Sequence, residues 1–265
     1  MIAIVRARGC GYITCVGIAQ HLDECQVVVY PAPKTRGIAD MVVPWGVPLA
    51  GCAINKRANM GAARDKGNAR LMMHKAGVCV PEPWYKGEKW MGDLIFRPNG
   101  HHGGRNLYVV RSPEEAERYN GGYFSALFKK THEFRVHVAH GKVLALEDKH
   151  YTGRQVGCNR LKNGLPWTVV RWNDAGQAHR LIMLEGLRAV EALGLDFGGV
   201  DVMWDGKQAC VCEANTAPTI IEDYKQQRYA AYFAYIYRHR DAKHWEFEKY
   251  TEAKSLFWKR FQLEA

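Results

Sequence analysis

Apolar and polar positions alternate along this chain with two periods, and the periods divide it into strands and helices. Short apolar runs bounded by turn residues predict strands at 26–30 and 39–43, the second stopped by Pro44, Trp45 and Gly46. Further strands are predicted at 93–97 and 107–110, on either side of a glycine-rich loop over 98–105, and an extended segment at 123–128. Residues 133–138 alternate strictly, Glu-Phe-Arg-Val-His-Val, and 143–146 return as their partner across His140-Gly141. The period lengthens to that of a helix over 61–76 and again over 181–193. Gly77 stands where a helix C-terminus favours a positive φ, and Ser112-Pro113 reads as an N-cap followed by a first-turn proline. The first 55 residues read as strands and loops; the last 40 read as helical, basic and aromatic. No internal repeat or low-complexity linker interrupts this order, which predicts an α+β (mixed α/β) enzyme.

The hairpin predicted over 198–216 carries the densest chemistry, with Asp205-Gly206 marking its turn. Alternation puts Val200, Val202, Cys210, Cys212 and Ala214 on one face. Asp201 then shares the other face with Met203, Ala209, Val211, Glu213 and Asn215. For the strands to agree, Asp201 must lie opposite Val211 across an odd-length loop, such as three residues at 205–207 with a glycine bulge. A strict two-residue turn would put Asp201 and Glu213 on opposite faces. In the required register two carboxylates and an amide oxygen converge, an oxygen-only set that suits Mg²⁺. The bland alternative is a solvated acidic face with no task.

Composition bounds this picture. An apolar share of 47% with 24% charged residues excludes a disordered or collagen-like chain. A chain of 265 residues buries a core without disulfide or metal staples. The balance of 37 Lys+Arg against 27 Asp+Glu leaves +10, which points to an acidic partner without choosing among nucleotide phosphates, nucleic acid, polyanions and acidic peptides. The eight cysteines include no C-x-x-C, so the common zinc spacings are missing and reduced core thiols are expected. No apolar run of about 18 residues predicts a membrane span. No targeting segment is expected at the start either, and the expected location is cytoplasmic.

Four stretches in order carry a resemblance. Asp65-Lys66, Leu71 and residues 76–81 (Ala-Gly-Val-Cys-Val-Pro) come first; Ile95-Phe96-Arg97-Pro98 with Gly100, Gly103 and Gly104 follow. Residues 133–138 with Gly141-Lys142-Val143 are third, and Gly199-Val200-Asp201-Val202 with Glu213-Ala214-Asn215-Thr216-Ala217-Pro218 are last. Together they resemble the ATP-grasp superfamily of carboxylate–amine ligases over roughly residues 40–218, in the style of its small phage and bacterial members. The resemblance implies two α+β subdomains clasping ATP. Their expected limits are a pre-ATP-grasp-like region over 1–55, a first subdomain with the glycine-rich flap over 56–128, a second with the metal hairpin over 129–220, and C-terminal helices over 221–265.

Carried over residue by residue, the resemblance makes Asp201, Glu213 and Asn215 the ligands of Mg²⁺, with two ions expected and Mn²⁺ a substitute. It places Lys66, Arg97, Lys149 and the flap residues His101, His102, Gly103 and Gly104 on the ATP phosphates. Arg97 departs from the lysine many members carry there, keeping the charge and adding bidentate contacts. Ser125 and Leu127 fall on the adenine connector, where members often show Glu or Gln, and Glu133 is the candidate ribose partner. Arg135 is the candidate catalytic cation on the reacting phosphate. Arg154, Asn159, Arg160 and Arg171 lie in a candidate substrate loop that favours an anionic substrate.

The implied chemistry is ATP-dependent amide or peptide bond formation through an acyl-phosphate, with release of ADP and phosphate. Its partners are small-molecule or peptide carboxylates and amines. No Ser-His-Asp or G-x-S-x-G arrangement is present, as positioning and charge stabilisation require none. Two other readings compete. The basic, aromatic C-terminus, including Tyr229, Tyr232, Phe233, Tyr237-Arg238 and Trp258-Lys259-Arg260, could stack on nucleic-acid bases, or its helical spacing could pack on the core. The chain could also bind nucleotide without ligating.

Overall fold

The structure, a computed structural model, describes residues 1–8, 11–30, 39–50, 52, 54–99, 106–149, 168–170 and 176–239. Strand β1 (Ile2–Ala7) is buried on both faces over its first four residues, as befits the centre of a parallel sheet. Strands β2 (Cys25–Tyr30) and β3 (Met41–Trp45) flank it in the order β2-β1-β3. Helix α1 (Tyr12–Ala19) crosses from β1 to β2 and buries Cys15 and Ile18. The sequence pattern predicted no helix in this region. The segment Tyr-Ile-Thr-Cys-Val-Gly-Ile-Ala is apolar almost all round, so it shows no helical period. Strand β3 also runs on through Pro44 and Trp45; Pro44 pairs with Val5 on an edge strand, where a missing N–H is tolerated.

The single helix predicted over 61–76 is two, α2 (Arg57–Arg64) and α3 (Lys66–Lys75). They break at Asp65, whose ψ of 96° is extended and whose Oδ1 accepts from the Asn68 N–H at 3.1 Å. The break sets Lys66 at the start of α3. At the other end Gly77 has φ +77°, and the Gly77 and Val78 N–H groups return to His74 and Met73 carbonyls, each at 3.0 Å. This is the C-terminal motif the sequence predicted.

A four-stranded antiparallel sheet follows, in the order β4-β7-β5-β6, from β4 (Pro83–Trp84), β5 (Leu94–Pro98), β6 (Tyr108–Val110) and β7 (Gly122–Ala126). Helix α4 (Pro113–Ala116) starts at Ser112, whose Oγ accepts from the Glu115 N–H at 3.2 Å. Trp84, Leu94, Phe96, Val110 and Phe124 form one apolar face. Arg97, Tyr123 and Ser125 alternate with these residues and belong to the other face.

The third sheet holds β8 (His132–Ala139), β9 (Lys142–Asp148), β10 (Thr168–Val169), β11 (Phe197–Trp204) and β12 (Ala209–Asn215) in the antiparallel order β10-β9-β8-β11-β12. His140 and Gly141 turn β8 into β9 with φ of 45° and 72°. Phe134, Val136, Val138, Val200, Val202 and Val211 pack against helix α5 (Gln177–Ala192) through Ile182, Met183, Ala189 and Val190. Met60, Ala63, Ala69 and Met73 of α2 and α3 join the same core. Helix α6 (Asp223–His239) sends Tyr229, Tyr232, Phe233 and Ile236 into a second core with Ile4, Val43, Trp45 and Phe197.

The β11–β12 hairpin corrects the predicted register. Asp201 faces Glu213, not Val211, and the tip is four residues, 205–208, not three. Val202, Met203 and Trp204 pair with Val211, Cys210 and Ala209, and the register shifts between Asp201 and Val202. Cys212 is therefore the extra residue of a β-bulge. The predicted face sets change accordingly: Val211 and Ala209 lie with Val200 and Val202 in the helix-facing core, while Cys210 pairs with Met203. The bulge does the work assigned to an odd-length turn. An unbroken ladder from Trp204–Ala209 would have paired Asp201 with Cys212 and turned Glu213 to the other face. Asp205 closes the tip by accepting from the Lys207 and Gln208 N–H groups, both at 2.8 Å.

Candidate nucleotide and metal site

The strict alternation of β8 gives the third sheet a second face made of charges. Cross-strand pairing aligns Arg135 with Asp201 and Glu147, and Asp201 with Glu213. It also aligns His137 and Asn215 with Gly199. Gly199 has a specific reason to lack a side chain: a Cβ there would stand 2.6 Å from Pro218 Cβ, closing the turn beside Arg135.

Asp201 is 4% exposed and both its oxygens are bound. Oδ1 accepts from Arg135 Nε at 2.7 Å; Oδ2 accepts from Arg135 Nη2 at 2.9 Å and from Lys149 Nζ at 2.6 Å. Lys149 also donates to Glu133 Oε1 at 2.6 Å, and Lys130 to Glu133 Oε2. Burial alone would raise the Asp201 pKa, but Arg135 and Lys149 outweigh it and hold the carboxyl well below the usual range. Burial likewise opposes the charged Lys149, and Asp201 with Glu133 reverses the direction. Every charged group in this set touches an opposite one, three cations on two carboxylates.

Glu213 is held by a lysine at the start of α3. Lys66 Nζ reaches Glu213 Oε2 at 2.7 Å, and Asn215 Nδ2 donates to Glu213 Oε1 at 3.2 Å, leaving the Asn215 carbonyl oxygen available. Burial raises the Glu213 pKa, as does Asp201, but Lys66 brings it below the ordinary value. From the four-stranded sheet comes Arg97, 5% exposed, whose Nη1 donates to Ser125 Oγ at 2.6 Å. Burial lowers its pKa and Arg70 lowers it further, against the pull of Glu213. Leu127 spends its N–H on the Asp93 carbonyl at 2.8 Å. Of the residues singled out from the sequence, Lys66, Arg97, Arg135, Lys149, Glu133, Asp201, Glu213 and Asn215 are linked by these bonds or by mutual electrostatics. His101, His102, Gly103, Gly104, Arg154, Asn159, Arg160 and Arg171 lie outside the described residues.

Two parts of the site had no sequence signal. Lys130, beside Lys129 in an ordinary basic pair, is buried on Glu133. Glu147, 1% exposed, is shared by His137 Nε2 at 3.0 Å and by Lys225 Nζ at 2.5 Å, the latter arriving from α6. The partners of Glu147 are brought together only by the tertiary fold. Burial pushes the His137 pKa down, so a neutral ring donates from Nε2 and accepts at Nδ1 from Tyr229 OH, 3.2 Å away. Burial raises the Glu147 pKa, but the His137 hydrogen bond and the Lys225 ammonium bring it from 4.5 to about 2. A depressed carboxylate stabilises the fold above its unfolded pKa and loses that contribution as pH falls through its folded value. Glu147 therefore contributes on the order of 3 kcal/mol above pH 4.5, lost progressively toward pH 2. Thermal melts across this window should show a shallower acid slope for Glu147→Gln than for the wild type; equal slopes would remove Glu147 from the account.

Among the described residues no group of three His, Cys, Asp or Glu forms a metal cluster. The candidate donors to a cation are two carboxylates, each already accepting from cationic side chains, and an amide oxygen. That set fits an ion that keeps water and takes phosphate oxygens for the rest of its shell. Lys66 on Glu213 and Lys149 on Asp201 mark where the structure accepts positive charge next to these carboxylates. No helix among the described residues is long and apolar enough to cross a membrane.

No family model matches the sequence, and no curated protein matches it. Solved structures do match. A D-alanine–D-alanine ligase from Bacillus anthracis complexed with ATP aligns with a TM-score of 0.61 at 12% identity, over 91% of this chain and 99% of that one. The ATP-grasp ligase PsnB, complexed with a phosphomimetic variant of its minimal precursor, Mg and ADP, aligns with a TM-score of 0.60 at 13% identity, over 89% and 98%. An L-amino acid ligase from Bacillus licheniformis aligns with a TM-score of 0.55 at 17% identity, over 86% and 68%. The chain has the ATP-grasp fold, a mixed α+β architecture, as its motifs implied.

Proposed function

We propose that this protein is an ATP-dependent carboxylate–amine ligase that forms an amide or peptide bond through an acyl-phosphate and releases ADP and phosphate. The observation that carries the reading is the in-register pair Asp201 and Glu213, ringed by Lys66, Arg97, Arg135 and Lys149. The neighbours with this fold include ligases for D-alanine, L-amino acids and a precursor peptide, so an amino-acid, peptide or small-metabolite carboxylate is the substrate class we favour. Asp201, Glu213 and Asn215 would hold Mg²⁺, two ions by this reading with Mn²⁺ as a substitute. The metal would offset phosphate repulsion during transfer. Lys66, Arg97 and Lys149 would turn from their carboxylates or hydroxyl toward phosphate oxygens. Arg135, fixed by Asp201, would stabilise charge on the phosphate that leaves. Glu133, held by two lysines, offers a carboxylate rim for the ribose, and Ser125 and Leu127 would border the adenine. We place the work in the cytoplasm.

The competing nucleic-acid reading loses three of its rings; Trp258, Lys259 and Arg260 lie outside the described residues. Tyr229, Tyr232 and Phe233 are fully buried against the N-terminal sheet and present no ring to a base. The test is a screen of carboxylate and amine pairs with ATP and Mg²⁺, followed by ¹⁸O-labelled carboxylate for any active pair. The expected result is ADP and phosphate formed only when both partners are present, with carboxylate ¹⁸O appearing in the phosphate. Release of AMP and pyrophosphate, or label retained wholly in the amide, would sink the acyl-phosphate route.

A further inference from the structure

The bulge at Cys212 puts Glu213 opposite Asp201, and a bulge frees backbone groups that the ladder no longer bonds. In a regular strand successive residues turn their N–H and C=O groups to opposite edges. Here the Val211 N–H and the next residue's C=O are both bonded away from β11. Val211 N–H donates to the Cys79 carbonyl at 2.7 Å, and Arg70 Nη2 donates to the Cys212 carbonyl at 2.9 Å. Both partners come from one stretch of chain, α3 and the segment after it. Cys79 is itself fixed, its N–H donating to Glu185 Oε2 of α5 at 2.8 Å. Lys66, at the start of α3, holds the Glu213 carboxylate at 2.7 Å. Val211, Cys212 and Glu213 are thus gripped in succession from the same side.

Arg70 is 3% exposed, and its buried Nε and Nη1 make no hydrogen bond among the described residues. A guanidinium buried for one carbonyl bond adds little to stability, because its desolvation offsets the bond. What it supplies is position: the Tyr123 ring, 5.7 Å from the guanidinium, limits where Arg70 can swing. We propose that Arg70 is a positioning residue for the candidate metal centre, holding the Cys212 carbonyl so that the bulge keeps Glu213 facing Asp201. The inference rests on the nucleotide and metal reading above. In that reading Lys66 turns to a phosphate and releases Glu213 to the cation, and the backbone bond from Arg70 is then what keeps the carboxylate in place. Arg70 acts through Cys212 and touches neither metal nor nucleotide.

Calorimetric titration of the full chain with the non-hydrolysable nucleotide AMP-PNP, repeated over a series of Mg²⁺ concentrations, tests it. Arg70→Met should need roughly tenfold more Mg²⁺ to reach half of the metal-dependent gain in nucleotide affinity, the size expected when a group supporting a metal ligand is lost. At saturating Mg²⁺ its nucleotide affinity should return to the wild-type value. A merely structural role would weaken nucleotide binding at every Mg²⁺ concentration and leave the midpoint unmoved. Arg70→Lys keeps the charge and one donor, and only one donor is in use, so its Mg²⁺ midpoint should lie within about twofold of wild type. A wild-type midpoint for Arg70→Met, in a protein whose Mg·AMP-PNP binding Glu213→Ala abolishes, would overturn the role of Arg70 and leave the ligase reading standing. A wild type that binds no Mg·AMP-PNP would overturn both. Arg70→Lys no better than Arg70→Met, or loss of folding in both variants, would reduce Arg70 to a structural part and overturn the proposal.

Discussion

Asp201→Ala should cost about 3–5 kcal/mol of folding stability, the largest effect expected of any single substitution in the site. Asp201 is 4% exposed and neutralises two cations at once; the Arg135 and Lys149 side chains are only 13% and 3% exposed. Removal takes from Arg135 its two bonds to this carboxylate inside the sheet, and from Lys149 its ion pair with Asp201. The loss comes from the stranded charges and not from the attraction of the pair, so double replacement should behave differently. Asp201→Ala combined with Arg135→Met should recover part of what Asp201→Ala loses. Urea unfolding measures both. A loss below about 1 kcal/mol for the single variant would mean that water reaches these groups and screens them.

Glu213→Ala should abolish stabilisation by Mg·ATP while leaving the unliganded protein nearly as stable as before. Glu213 differs from Asp201 in one respect that decides this. Its side chain is 27% exposed and its ion-pair partner Lys66 is 23% exposed, so the pair itself is worth at most about 1 kcal/mol. Ligand at a hundredfold over its Kd should raise wild-type stability by about 2.7 kcal/mol. The variant should gain nothing, because the second carboxylate of the oxygen set is gone. A thermal shift of the same size in both proteins would move the nucleotide away from this hairpin. The two variants thus separate what the acidic pair does for the fold from what it does for a ligand.

Much of this was legible in the chain. The polar face of β8 is written in the alternation Glu133, Arg135, His137, and the helix–glycine boundary at Gly77 is written in one residue. Both are local, and local signals survive without the rest of the fold. The bulge at Cys212 was not legible, since neither Cys212 nor its neighbours carry turn chemistry; its position follows from the pairing of a whole ladder. The same limit hid α1, whose residues are apolar on every side, and the break at Asp65, where one residue changes ψ between two helical runs. Lys130, Glu147 and Lys225 were invisible for a different reason. A charged residue looks solvated in sequence, and only the folded chain shows that each has been given a buried counter-ion.

The second apolar core has a consequence for synthesis. Trp45 stacks on Phe197 at 5.5 Å between ring centres and meets the edges of Tyr229 and Phe233. Those rings belong to chain made roughly 150–190 residues later, which at 5–20 residues per second is about 10–40 s of translation. Through that interval the β2-β1-β3 sheet has its strands but not the aromatic helix that covers Ile4, Val43 and Trp45. The nascent chain therefore carries an exposed apolar sheet face while the two antiparallel sheets are still being made, and the three-stranded parallel sheet, made before them, is among the last parts to be sealed.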